Sequence, residues 1–294
     1  AKINRVYVDR VHVKKTFAEY TAAYNADDPK IKLKIDHTYR VAALCERIAK
    51  AAGMCAYDVE LAWLSGMLHD VGRFEQIKRY NTFSDADSVD HAKFGADLLF
   101  KDGLISTFLN GMVKCTGYKP GALEDRYGSD GVFLYDRLNK SDMEMLELAI
   151  RCHNMYRIPQ GLNRREQAFC NVLRDADKVD IFKVNIDTPL EEIYNTTTEE
   201  LMKSDITDEV LEAFDEEHCI LKAIRRTPAD TVIGHVSLAY ELVYDESVRI
   251  TVEQGYLGKL MHFHSDNEET NRKMAMVREK MDSYVKKRIG EKDA

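Results

Sequence analysis

The sequence predicts an all-α protein, a helical bundle with additional C-terminal helices. Apolar residues recur at three- and four-residue spacing through most of the chain, and the alternating runs of strands are lacking. Residues that cap helix N-termini stand before these periodic segments, and glycines follow several of them.

In chain order, Val6, Val8, Val11 and Val13 mix two periods and predict no element. Asp36 is placed to cap a helix carrying Val41, Leu44, Cys45 and Ile48 that stops near Gly53. Asp58 is placed to cap the next, with Leu61, Leu64 and Leu68 on one face and Gly72 past its end. Asp90 opens a third, with Phe94 and Leu98 on one side. Gly103 to Lys140, rich in Gly, Asp and Tyr, reads as a long connection with short helical pieces. Ser141-Asp142-Met143-Glu144 is a capping box before Leu146, Ala149, Ile150 and His153, and Asn163 with Glu166 is a weaker one. The acidic stretch from Thr196 to Cys219 reads as helical. Thr227-Pro228-Ala229-Asp230 caps a long helix expected to run through Val236, Ala239 and Val243. The expected division is a domain over 1–190, including an N-terminal helical extension, and a C-terminal helical extension over 191–294.

With 294 residues, 45% hydrophobic and 31% charged, the chain can bury a sizeable core. A formal charge of -8 argues against duplex-nucleic-acid binding, which calls for a broad basic surface. No run approaches the roughly 18 apolar residues of a membrane span, and the first residues hold no apolar signal core. Six scattered cysteines without Cys-x-x-Cys read as reduced, structural thiols, so the expected compartment is cytoplasmic.

Against this ordinary background, one constellation carries chemistry. His69-Asp70 lies at the end of an apolar helix and offers an imidazole and a carboxylate together. His37 and His91 open helical segments, His153 closes one, and Asp177 follows Leu173 by one helical turn. Helix ends in a bundle can converge on a single metal site. Imidazole with carboxylate suits Fe, Mn, Zn, Ni or Co and disfavours a soft thiolate site.

The order His…His-Asp…His…His…Asp, over Asp36 to Ile181, resembles the HD-domain superfamily of metal-dependent phosphohydrolases. That resemblance implies two divalent transition metals, Fe or Mn first, with Ni, Co and Zn compatible. It implies His37, His69, Asp70 and Asp177 around the first metal and Asp70, His91 and His153 around the second, with Asp70 as bridge. Two such metals can clamp a phosphoryl group and activate water between them. Within Arg174-Asp175-Ala176-Asp177 the two aspartates point to different sides of a helix, and the family's Ala-Asp pattern favours Asp177. Arg73 stands where the HD-GYP branch often carries a phosphate-associated Lys, so Asp70 and Arg73 are the expected catalytic residues. The chain departs from that branch elsewhere. His153 is followed by Asn154, and Gly117-Tyr118-Lys119-Pro120 is misplaced and broken, so cyclic-di-GMP hydrolysis is not implied.

Outside this set, His235 reads as a helix-packing residue, Arg225-Arg226 as a solvated basic pair, and His12 and His218 as surface, while His262 and His264 would face together only in an extended segment. The leading expectation is a phosphohydrolase acting on a phosphomonoester or phosphodiester, with a nucleotide as one candidate substrate, through a metal-activated hydroxide. No duplex nucleic acid or membrane is expected as a partner. A mixed-valence di-iron oxygenase would use the same ligands. A nucleotide-binding or scaffold protein with an inactive site is the third reading.

Overall fold

The computed structural model describes residues 4–5, 8–109, 112–116, 132–134 and 140–290. Its chain divides into two compact units, Ala1–Arg174 and Asp175–Ala294. Helices dominate both, which makes the fold an all-α HD bundle.

In the first unit, Asp9 caps helix α1 (Arg10–Ala22), which buries Val13 and Phe17 and leaves Val11 exposed. Helix α2 (Pro29–Ala51) begins eight residues earlier than Asp36 suggested. Asp28 caps it, its side chain accepting from the Lys30 N–H, and Pro29 takes the first helical position. Its inner face carries Ile31, Lys34, His37, Thr38, Val41, Leu44 and Ile48. Gly53, at φ +72°, lies just beyond its end, as expected. Helix α3 (Ala56–Leu68) starts after Cys55, so Asp58 sits in the first turn instead of at the cap. There it pairs with Arg165.

Helices α2 and α3 approach closely because Gly66 has no side chain. A Cβ at that position would lie 2.6 Å from the Ala42 Cα. Helix α4 (Val71–Tyr80) follows after only His69 and Asp70. Gly72 therefore lies inside a helix and does not make the turn that the sequence suggested. Its Cβ would fall 2.5 Å from the His91 carbonyl oxygen and 2.7 Å from the Gly95 N, so it lets helix α5 (His91–Ala96) press against α4.

Helix α6 (Leu104–Leu109) and strands β2 (Met112–Thr116) and β3 (Val132–Leu134) fall within the long connection. With β1 (Asn4–Arg5) the strands form a short antiparallel sheet of order β1-β2-β3, which no alternating pattern announced. Gly117-Tyr118-Lys119-Pro120 lies outside the described residues. Helix α7 (Lys140–Cys152) ends next to His153, and α8 (Arg164–Asp187) runs across the division between the units. The Asn163 and Glu166 side chains exchange bonds with each other's backbone N–H, so this capping box forms.

Among the described residues, seven helices and two 3-10 turns make up the rest of the second unit. The helices after α8 are α9 (Leu190–Tyr194), α10 (Thr198–Lys203), α11 (Asp208–Asp215), α12 (Pro228–Val236), α13 (Asp245–Gln254), α14 (Tyr256–Met261) and α15 (Glu268–Ile289). Thr227 caps α12 as expected, and with Asp230 it forms a capping box. The helix stops at Val236, well short of Val243, because a 3-10 turn takes over at Ser237 and Leu242 is extended. Arg226 pairs with Glu209, whereas Arg225 packs its guanidinium onto Gly234. Among the described residues no helix is long and apolar enough to cross a membrane.

Candidate metal centre

Five of the six residues expected as ligands meet in the first unit. His37 comes from the buried face of α2 and His69 from the end of α3. Asp70 takes the N-cap position of α4 yet makes no side-chain cap bond, so its carboxylate is left to the cluster. His91 is the first residue of α5, placed by Asp90, whose side chain caps that helix. His153 follows α7, and Arg174 holds this helix end by donating to the Cys152, His153, Met155 and Tyr156 carbonyls. All five ligand candidates are buried.

The two carboxylate oxygens of Asp70 face different pairs. His37 Nε2 and His69 Nε2 are each 3.5 Å from Oδ2 and 3.3 Å from one another. His91 Nε2 and His153 Nε2 are 3.5 and 3.7 Å from Oδ1 and 3.1 Å apart. Donor atoms sharing one ion at about 2.1 Å lie about 3.0–3.4 Å apart for octahedral to tetrahedral angles; the two nitrogen–nitrogen edges, 3.3 and 3.1 Å, fall in that range, and the nitrogen–oxygen edges of 3.5–3.7 Å are slightly longer.

Hydrogen bonding on the outer side of the rings sharpens the fit. His153 Nδ1 donates to the Ile150 carbonyl at 2.7 Å, and His91 Nδ1 donates to Asp85 Oδ2 at 2.6 Å. His69 Nδ1 likewise donates to the Gly66 carbonyl at 2.7 Å. In a neutral imidazole that donates through Nδ1, Nε2 carries only a lone pair. His91 Nε2 and His153 Nε2 are then two acceptors in contact with no proton between them. A bound cation satisfies both, and this outer bonding is what orients metal-ligating histidines.

Charge follows the same logic. Burial alone would push the Asp70 carboxyl up, but Lys34 and the surrounding imidazoles outweigh it and hold the group well below the usual range. Burial depresses His91 to about 4 against the pull of Asp85, so it is neutral and able to ligate near pH 7. Burial raises the Asp85 carboxyl too, yet its contacts with His91 and Arg73 keep it low.

Sequence reasoning missed two residues of the centre. Lys34 Nζ donates to Asp70 Oδ2 at 2.8 Å and lies over the Phe83 ring. A lysine one turn before His37 on an otherwise apolar helix face was a visible signal, because a buried lysine needs a partner. Asp85, in the polar segment between α4 and α5, gave no such signal.

Arg73 is tied to acceptors of its own surroundings. Its Nη1 donates to Gln76 Oε1, the Phe83 carbonyl and Asp85 Oδ1 at 2.7, 2.8 and 2.9 Å. Its Nε is buried without a hydrogen-bond partner, 3.9 Å from Asp70 Oδ1.

Asp177 is half-buried on α8 in the second unit. Asp175 is fully buried and accepts from the Val243 and Tyr244 N–H groups and the Ser247 hydroxyl, anchoring the start of α13. His235 is beside the Tyr194 ring, in the packing role expected of it.

The HD domain family matches residues 35–181, half of the chain. This chain belongs to the HD domain family. The matched stretch contains all six expected ligand positions. Membership brings metal-dependent hydrolase chemistry as the family's general activity, although some members are inactive. No curated protein and no solved structure shows significant similarity to the chain.

Proposed function

We propose that this HD domain protein is a binuclear metal-dependent phosphohydrolase that cleaves a phosphomonoester or phosphodiester, nucleotides being one candidate class. The observation that carries the reading is the Asp70 carboxylate, with one oxygen on each histidine pair. Such a carboxylate is built to bridge two ions. When bound, the two metals supply a water acidic enough to act as nucleophile and positive charge for the phosphoryl oxygens.

His37, His69 and Asp70 would hold the first ion, with Asp177 as the fourth ligand by family pattern. Asp70, His91 and His153 would hold the second. His69, His91 and His153 keep their lone pairs inward because their outer nitrogens are committed elsewhere. Lys34 steadies the bridging carboxylate. Arg73, with its Nε beside Asp70, is proposed to offset negative charge on the substrate as it redistributes in the transition state.

The test is elemental analysis of protein purified without added metal, followed by assays with Mn, Fe, Co and Ni on an aryl phosphate and an aryl diester. Two transition-metal ions per chain and metal-dependent phosphate release are expected. Dioxygen consumption coupled to turnover of a substrate without phosphate would replace this reading with the oxygenase one.

A further inference from the structure

The segment between α4 and α5 is tied down from both sides, and Asp85 is where the ties meet. Its Oδ1 accepts from Arg73 Nη1 at 2.9 Å and from Gln76 Nε2 at 3.0 Å, both on α4. Its Oδ2 accepts from His91 Nδ1 at 2.6 Å and from Asn154 Nδ2 at 3.3 Å. Gln76 is fully buried and also donates to the Ser88 hydroxyl and the Val89 carbonyl, fixing the segment that carries Asp85. Asn154, the neighbour of His153, donates in addition to Asp90 at 2.9 Å. One carboxylate therefore links α4, the first residue of α5 and the residue after His153.

We infer that Asp85 is the positioning residue of the second metal position: it fixes the His91 ring with Nδ1 protonated and Nε2 aimed at Asp70, and Arg73 and Gln76 hold it there. The inference rests on the two-metal reading. A carboxylate behind an imidazole sets its tautomer and raises the basicity of the nitrogen that faces the metal. His153 and His69 instead donate from Nδ1 to neutral backbone carbonyls. Asp85 thus gives the second position an electrostatic support of its own. It does not touch the His37 and His69 side, so its removal should separate the two positions. Arg73 acts in this network through Asp85, whatever further contact its Nε makes.

Asp85→Asn and Asp85→Ala, made in the full chain, test this with two measurements. The first is titration of the metal-free protein with Mn or Co, reading stoichiometry and the affinity of each step. The second is ¹⁵N NMR of the metal-free protein, reading the tautomer of His91. The variants should keep the first affinity within about threefold and lose about 10- to 100-fold in the second, the usual scale for such an outer partner. His91 should shift from Nδ1-protonated towards a mixture of tautomers in Asp85→Ala. Equal weakening of both steps, or unchanged affinities with an unchanged tautomer, would overturn the inference. A wild-type protein that binds only one ion would instead overturn the two-metal reading, and the tautomer of His91 would still report on Asp85. Asp85→Asn keeps the size of the side chain, so it remains informative if the Ala variant fails to fold.

Discussion

The two halves of the centre are built by different means. His37 and His69 are fully buried where α2 packs on α3, and the His69 ring is anchored to a carbonyl of its own helix. His91 and His153 stand at the first residue of one short helix and just past the end of another. The His153 ring is likewise anchored to a carbonyl of its own helix, but side chains hold the rest of this pair: Asp85, backed by Arg73 and Gln76, behind His91, and Asn154 and Arg174 at the His153 end. The first half is thus a product of apolar helix packing, and the second of a polar network. A packed core has little tolerance for change in volume, whereas a network can be altered one bond at a time. The second position is therefore the one that substitutions can tune.

Asp70 belongs to both halves, so its loss erases the comparison and has the largest expected effect. Asp70→Ala should bind neither metal and show no metal-dependent hydrolysis. It also leaves Lys34 buried without its carboxylate, at a cost of about 3–5 kcal/mol for a broken buried pair. Elemental analysis and a melting curve read both effects, and full metal content would contradict the bridging role.

The next test divides the halves. His91→Ala should remove mainly the second ion and lower the melting temperature only modestly, since Asp85 keeps Arg73, Gln76 and Asn154 as partners. His69→Ala should remove the first ion and also open space in the α2/α3 core, so its melting temperature should fall further. Metal content and melting temperature measured together decide this, and the division fails if the two variants lose the same ion.

Acid should sharpen the contrast in metal-free protein. Burial holds His91 at about 4, below the ordinary histidine value of about 6.5. Between those values the unfolded chain binds a proton that the folded protein does not, so stability falls as pH falls. The whole effect is up to about 3 kcal/mol. Asp70 and Asp85, both held low, add further losses only below about pH 4. Urea unfolding of wild type and His91→Gln at pH 7 and pH 4.5 checks the sign. The advantage of the wild type should shrink at the lower pH, and an advantage that grew would contradict it.

What the sequence disclosed and what it withheld divide along similar lines. The histidines were legible because each lies beside or within an apolar helical run, where a lone polar residue stands out. Asp28-Pro29 carried the true start of α2, but Asp36 lay closer to the apolar run and drew the boundary inward. Asp85 could not be read, since an aspartate in a Ser- and Asp-rich segment is expected to face water. It acquires its partners only when α4, α5 and α7 come together. Asp175 was withheld for the same reason, as its partners lie some seventy residues later. The early stop of α12 and the short sheet left no periodic trace.

Two glycines offer the finest comparison of the halves, because each permits one helix contact behind one histidine pair. Gly66→Ala puts a methyl group 2.6 Å from the Ala42 Cα, so α2 and α3 must separate near His69. Gly72→Ala puts one 2.5 Å from the His91 carbonyl oxygen and 2.7 Å from the Gly95 N, so α5 must move away from α4. Backbone meets backbone in both cases, and no side chain can rotate to make room. Overpacking of this kind costs about 1–3 kcal/mol, partly offset by the higher helix propensity of alanine, worth up to about 1 kcal/mol. Both variants should therefore melt lower than wild type. Their metal binding should differ in kind. Gly72→Ala shifts the first residue of α5, which is His91 itself, and should weaken the second ion while sparing the first. Gly66→Ala bears on the carbonyl that anchors His69 and should weaken the first. Calorimetric metal titration of the two variants side by side tests this, and a reversed order of effects would mean that the halves are coupled through the helices more strongly than through Asp70.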